Sequence, residues 1–147
     1  MRLLLILFLS LGLAAPATAE VVRRESPHSV EATVERLEAA VAGAGARLFA
    51  KVPHSAGAAK VGVEMPRMTL MIFGNPKIGT PAITASPEAG LVLPLRVLVY
   101  EDEAGQTWLA WEEPGEMLTA RGVPADAPVI GRIAGALDKL TAKAASE

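Results

Sequence analysis

The segment from Met68 to Pro81 constrains the fold more than any other part of the chain, because a strand pattern runs directly into a loop of nearly fixed shape. From Arg67 to Phe73, apolar residues occupy both sets of alternating positions, which predicts a central strand covered on both faces. Two glycines and two prolines follow between Gly74 and Pro81. Thr80 then stands as a cap and Pro81 as a first helical residue, which predicts a short helix to about Ser86.

The first 19 residues have the pattern of a cleaved secretory signal peptide. Arg2 precedes an apolar run from Leu3 to Leu13, and Ala17-Thr18-Ala19 matches an Ala-x-Ala cleavage site. The run is shorter than the ~20 residues of a membrane-spanning helix. We therefore expect cleavage before Glu20 and a periplasmic or secreted protein without a membrane anchor; a retained signal anchor is the alternative.

Residues 20–147 have the length of one ordinary domain. The chain has no cysteine, which excludes disulfides, thiolate catalysis and thiolate metal ligands. Loss of Arg2 with the signal peptide changes the net charge from −2 to −3. The two signs are interspersed along the chain, so no nucleic-acid partner is expected.

The remaining elements are predicted from periodicity and from turn residues. Ser29 caps a helix with apolar residues at Val30, Val34, Leu37 and Val41. Strands are expected at 21–25 and 47–52, the second with Leu48, Ala50 and Val52 on one face. An irregular segment with at most one helical turn is expected at 54–65, followed later by a hairpin from strands 95–101 and 107–111. Helices are expected at 112–121 and after Asp126, which is predicted to cap the last one with Pro128 near its start.

This order predicts an α+β fold, β-α-β-β-β-β-α with a second helix at the end, in which an antiparallel-rich sheet has its helices packed on one face. The apolar side chains on the other face then need a cover, which predicts a homodimer joined through the two sheets. A small internal hydrophobic cluster is the alternative. The candidates for this face are Met71, Phe73, Leu98, Tyr100 and one of Trp108 or Trp111.

Three short motifs support a family assignment: Phe73-Gly-Asn-Pro76, Gly79-Thr-Pro81 and Leu93-Pro-Leu-Arg96, with His54 upstream. They resemble the bacterial and archaeal domain of unknown function 302 family, and the resemblance covers about residues 26–122. It implies the same α+β fold, and it assigns no catalytic role to any residue because none is established for the family. Ala82-Ile83, Val92 and Trp111 differ from the usual family pattern, in which an acidic residue precedes Leu-Pro-Leu-Arg.

The loop from Asn75 to Thr80 is a candidate site for a small anionic ligand. Asn75, Lys77 and Thr80 supply an amide, an ammonium and a hydroxyl next to the predicted start of a helix. A rigid turn whose Asn and Thr bond to their own backbone is the alternative.

His54 and Arg96 complete the candidate pocket. His54 has Lys60 and Glu64 nearby in the sequence and could bind a ligand or act as a general base, or it could be a structural histidine. Arg96 lines the same groove or forms a salt bridge with Glu101 at a strand edge.

Metal and cofactor sites are not predicted. Met68 and Met71 point to opposite faces of one strand, so they cannot hold a copper ion together, and His28 and His54 are far apart in the sequence. The sequence favours a non-enzymatic, exported small-ligand-binding or accessory domain that works as a homodimer. The alternatives are a small hydrolase or isomerase with His54 as base, and an envelope protein-interaction module.

Overall fold

Five antiparallel strands form one sheet in the computed structural model, which describes residues 19–147. The strands are β1 (Val21–Ser26), β2 (Arg47–Pro53), β3 (Met68–Gly74), β4 (Leu95–Glu101) and β5 (Thr107–Glu112), and their order across the sheet is β1-β5-β4-β3-β2. The helices are α1 (Val30–Gly43), α2 (His54–Ala59), α3 (Pro76–Ala85), α4 (Pro114–Thr119) and α5 (Pro128–Ala145), with a 3₁₀ turn at Pro87–Leu91. The predicted α+β fold is confirmed.

Helix α1 follows directly from its sequence. Ser29 caps it, its side chain accepting a hydrogen bond of 3.2 Å from the amide of Ala32. The predicted apolar positions are all buried, and the chain leaves the helix through Gly45, whose φ is 66°. Together with α4 and α5, this helix covers one face of the sheet and encloses the core.

The predicted assignment of Met71 and Phe73 to the uncovered face of the sheet is wrong. Both side chains are buried against the helices, with 0% and 1% of their surface exposed, and they pair with Val97 and Leu95 of β4. Because β3 is apolar on both faces, the alternation of its side chains assigns them to two sets, but it does not determine which set packs against the helices. Trp111 also belongs to the covered face.

Leu98, Tyr100 and Trp108 do lie on the opposite face, as predicted. We call this surface the open face; its central side chains are half-buried, except for the small, buried Ala110. Aligned by the strand register, its members are Ala50, Val52, Met68, Leu70, Ile72, Leu98, Tyr100, Trp108 and Ala110, with Arg23, Glu25, Arg96 and Glu112 at the edge.

A bulge in β2 changes the predicted facing of that strand. Leu48 pairs with Phe73 but Ala50 pairs with Ile72, so the register shifts at Phe49. Leu48 consequently packs against the core, whereas Ala50 lies on the open face. The predicted strand is confirmed, but its three apolar residues do not share one face.

One predicted helix start and one predicted helix cap are also wrong. Helix α3 begins at Pro76 with Asn75 as its cap, so Thr80 and Pro81 lie inside it. Pro81 is its sixth residue, where proline lacks the backbone donor that would bond to the carbonyl of Lys77. Helix α5 begins at Pro128 after Ala127, and no side chain caps it, so Asp126 has no capping role.

The predicted signal peptide lies almost entirely outside the described residues. Among the helices of residues 19–147, none combines the length and the hydrophobicity that a bilayer crossing requires.

Candidate functional site

An apolar cavity with a volume of about 290 Å³ lies where the bulged strand β2 and the end of β3 meet α3 and α5. Its lining side chains are apolar apart from those of Asn75 and Thr80. The lining consists of Ala44, Ala46, Phe49, Phe73, Gly74, Asn75, Pro76, Ile78, Gly79, Thr80, Ile83, Leu93, Pro94, Leu95, Ile133, Ala136 and Leu140.

Local features of three elements shape this cavity. The β2 bulge brings Phe49 to its wall although 52% of that side chain is exposed. Gly74 lies in close contact with the Leu93-Pro94 segment, since a Cβ at this position would be 3.3 Å from Cβ of Pro94. Helix α5 contributes Ile133, Ala136 and Leu140, which share one face of the helix.

Asn75 joins the cavity wall to its surroundings through two hydrogen bonds. Its Oδ1 accepts from the amide of Lys77 at 3.0 Å, and its Nδ2 donates to the carbonyl oxygen of Gly45 at 3.1 Å. The first bond caps α3, and the second connects that helix to the turn between α1 and β2. The amides of Ile78 and Gly79 donate to the Asn75 carbonyl, both at 2.9 Å. These backbone donors are therefore used within the helix.

The structure brings together only part of the predicted site. Asn75 and Thr80 line the cavity, and Lys77 is exposed in the first turn of α3 beside it. His54 instead follows Pro53, which pairs with Thr69 near the start of β3, whereas Asn75 follows the end of that strand. Five residues of a strand place the two ends roughly 16 Å apart.

Arg96 lies on the open face, opposite Ile72. Its guanidinium donates to the carboxylate of Glu112 at 3.1 Å, so its partner is Glu112 and the expected salt bridge with Glu101 does not form. His54 and Arg96 both lie outside the cavity lining.

A second, polar cleft of about 200 Å³ lies beside α1 and the start of β3, with Glu31, Lys51, Ser55 and Arg67 in its wall. Three of the four charged residues in its wall are already paired, Arg67 with Glu31 and Lys51 with Glu38. Among residues 19–147, the fourth, Glu35, forms no salt bridge. A hydrogen bond from its own backbone amide, followed by the contact with Arg67, holds the pKa of the Glu31 carboxyl below its usual value.

The hairpin between β4 and β5 contains the other perturbed carboxyl. Asp102 accepts hydrogen bonds from the indole N–H of Trp108 at 2.8 Å and from the amides of Gln106 and Ala104. The Trp108 bond is the main reason that the pKa of Asp102 is lowered. Across residues 19–147, no three His, Asp or Glu side chains are grouped as a metal site would require.

Sequence reasoning missed most of the cavity because its wall comes from five separate elements: β2, β3, α3, β4 and α5. One signal was present. Phe49 interrupts the polar side of β2 between Arg47 and Lys51, and a large aromatic residue there indicates an apolar neighbour that the strand itself does not supply.

Curated relatives of this chain include two proteins called "Fluoride-specific ion channel FluC 1", from Brucella suis biovar 1 (strain 1330) and Brucella abortus biovar 1 (strain 9-941). Each is 42% identical over 94 residues, which cover 64% of this chain. The matched segment is 37% of the first relative and 35% of the second, so the chain spans little more than a third of their length.

A solved structure shares the fold. The uncharacterized conserved protein DUF302 from Bacillus stearothermophilus superposes with a TM-score of 0.76 over 84% of this chain and 96% of that chain, at 18% identity. The family model described as "Domain of unknown function DUF302" matches residues 22–144. The resemblance found in the short motifs is thereby confirmed, and the chain belongs to the DUF302 family.

Proposed function

We propose that this protein is an exported, non-enzymatic domain that binds a small ligand and works as a homodimer. The apolar cavity at the end of β3 carries the proposal. Its volume is close to the lower limit of about 300–1,000 Å³ that is typical of small-molecule sites. Such sites combine apolar walls with a few polar groups, which Asn75 and Thr80 provide here.

Filling the cavity tests the proposal. We expect Ala136→Phe to weaken binding of the uncharged dye N-phenyl-1-naphthylamine by about tenfold or more, because the new ring occupies the space of the ligand. Ala142→Phe is the matched control, since Ala142 is also half-buried on α5 but lies outside the lining. Equal dye binding by both variants, with unchanged circular dichroism melts, would reject the cavity as the site.

An enzyme that uses His54 as base is the rival proposal. Such an enzyme would use His54 together with Lys60 or Lys77. His54 is exposed at the start of α2, whereas Lys77 lies beyond the other end of β3. A general base is typically worth ~100-fold or more in rate. A binding domain should retain its ligand affinity in His54→Gln, whereas a hydrolase or isomerase should lose that factor in turnover.

Export would turn an existing hydrogen bond of Glu116 into an ion pair. The backbone nitrogen of Glu20 lies 2.6 Å from Oε2 of Glu116, and the Glu20 carbonyl accepts from the amide of Glu113. Cleavage before Glu20 would turn that nitrogen into an ammonium group already placed against a carboxylate. The intact mass of the protein from a periplasmic fraction tests this, and a mass that includes residues 1–19 would contradict it.

A second candidate function is accessory to a membrane channel, and the names of the Brucella relatives favour it. In those proteins, a segment similar to this one is part of a longer chain described as a fluoride-specific ion channel. If this protein assists fluoride export, its deletion should lower the fluoride concentration that stops growth, and expression of residues 1–147 should restore it. Unchanged growth in fluoride would reject this role.

A further inference from the structure

We propose that the ligand of the apolar cavity is an anionic amphiphile, with an apolar tail inside the cavity and a single carboxylate or similar anionic head at its mouth. This inference rests on the proposed binding function and names the chemical class of the ligand. The interior could not hold the head, because no lining side chain carries a charge and an unpaired carboxylate is costly to bury. Cationic side chains around the cavity could hold it.

Arg47 is the first of these cations. Its guanidinium carbon lies 5.5 Å from the ring centroid of Phe49, a residue of the cavity wall, and its backbone pairs with Gly74, another wall residue. The Phe49 ring therefore contacts both the cavity and a positive charge. A tail in contact with that ring would place its head within reach of the guanidinium.

Lys77 stands between two lining residues, Pro76 and Ile78, in the first turn of α3. Its backbone amide is already taken by Asn75, so its contribution to a ligand is the side-chain ammonium. The side chain is exposed.

Lys143 approaches from the end of α5. Its Nζ lies 3.7 Å from the position that a Cβ on Gly43 would take, next to the lining residue Ala44. Within residues 19–147, the salt bridges involve Arg24, Lys51, Arg67 and Arg96, so Arg47, Lys77 and Lys143 have no carboxylate partner there. Three unpaired cations around an uncharged apolar cavity are complementary to a ligand with one negative end.

Decanoate and 1-decanol are the probes, because they share a tail and differ in the charge of the head. Isothermal titration calorimetry of the mature protein with each probe gives the two affinities. We expect the double variant Arg47→Gln/Lys77→Gln to bind decanoate about tenfold more weakly, the equivalent of two partly exposed ion pairs, and to bind 1-decanol as the wild type does. Lys60→Gln, an exposed lysine at the end of α2, is the control and should change neither affinity.

The remaining outcomes distinguish failure of the anionic-head inference from failure of the proposed binding function. If both probes bind and the double variant weakens both equally or neither, the anionic-head inference is overturned while the binding function stands. If neither probe binds the wild type and the uncharged dye also fails to bind, both are overturned. High salt should weaken decanoate binding in the wild type and leave 1-decanol unaffected, and a salt response shared by both probes would contradict the ion-pair contribution.

Discussion

At the scale of single residues, one pair of buried hydroxyl groups connects β1 to α1 inside the core. The hydroxyls of Ser26 and Thr33 are 2.7 Å apart, and both residues are buried. We expect Thr33→Val to lower the free energy of unfolding by about 1–2 kcal/mol, because Ser26 loses its side-chain partner in a place that water does not reach. Urea denaturation followed by circular dichroism measures the change.

A double-mutant cycle provides the control at this scale. Ser26→Ala/Thr33→Val removes both hydroxyls, so it should cost less than the sum of the two single substitutions by about 1 kcal/mol. Thr84→Val, on an exposed position of α3, should change stability by less than about 0.5 kcal/mol. If the changes in unfolding free energy of the two single substitutions simply add in the double variant, the hydrogen bond contributes nothing to stability.

At the scale of elements, the stability of α3 depends on the residue that caps its first turn. Asn75 caps the helix and also bonds to Gly45, so Asn75→Ala should cost about 1–2 kcal/mol of unfolding free energy. Asn75→Asp should cost less, because a carboxylate still accepts from the amide of Lys77 and is favourable at a helix N-terminus, although it cannot donate to Gly45. Thermal melts of the variants measure both changes.

Thr80→Ala distinguishes the two possible starts of this helix. Since Thr80 is exposed within α3 and does not cap it, its removal should change stability by less than about 0.5 kcal/mol. A loss comparable to that of Asn75→Ala would mean that the helix begins at Thr80, as the Gly-Thr-Pro motif alone suggests.

At the scale of the whole molecule, the open face supports the proposed dimer. Five strands about 4.8 Å apart and six or seven residues long give roughly 500 Å² per face, or about 1,000 Å² for two. That total is at the lower end for a specific interface. Opposite charges at its edge, Arg23 with Glu25 and Arg96 with Glu112, suit a two-fold arrangement in which each patch meets its own copy.

Leu98 is central to this face, between Leu70 and Ala110. We expect the wild type to sediment as a dimer and Leu98→Lys to sediment as a monomer, because an unpaired ammonium would be buried in the contact. Ala125→Lys, in an exposed loop, adds the same charge away from this face and should leave the dimer intact. A wild-type monomer, or a Leu98→Lys dimer, would contradict the sheet-to-sheet contact.

Much of the fold could be predicted from the sequence because it depends on local chemistry. The Ser29 cap and the apolar spacing of Val30, Val34 and Leu37 are properties of consecutive residues, and α1 forms where they predict it. The hairpin and the family motifs are local in the same sense, which is why the α+β class and the DUF302 relationship could both be inferred from short stretches of residues.

The candidate site was determined by tertiary structure. Asn75 and His54 looked like parts of one pocket because both belong to the family motifs, but β3 holds them at opposite ends. Packing between elements also decides three other features. These are the face of the sheet on which Met71 and Phe73 lie, the β2 bulge at Phe49, and the cavity between α3 and α5. The sequence alone determined the type and order of most elements, since periodicity and capping act over a few residues. Only packing between distant segments decided which side chains share a surface or enclose a space.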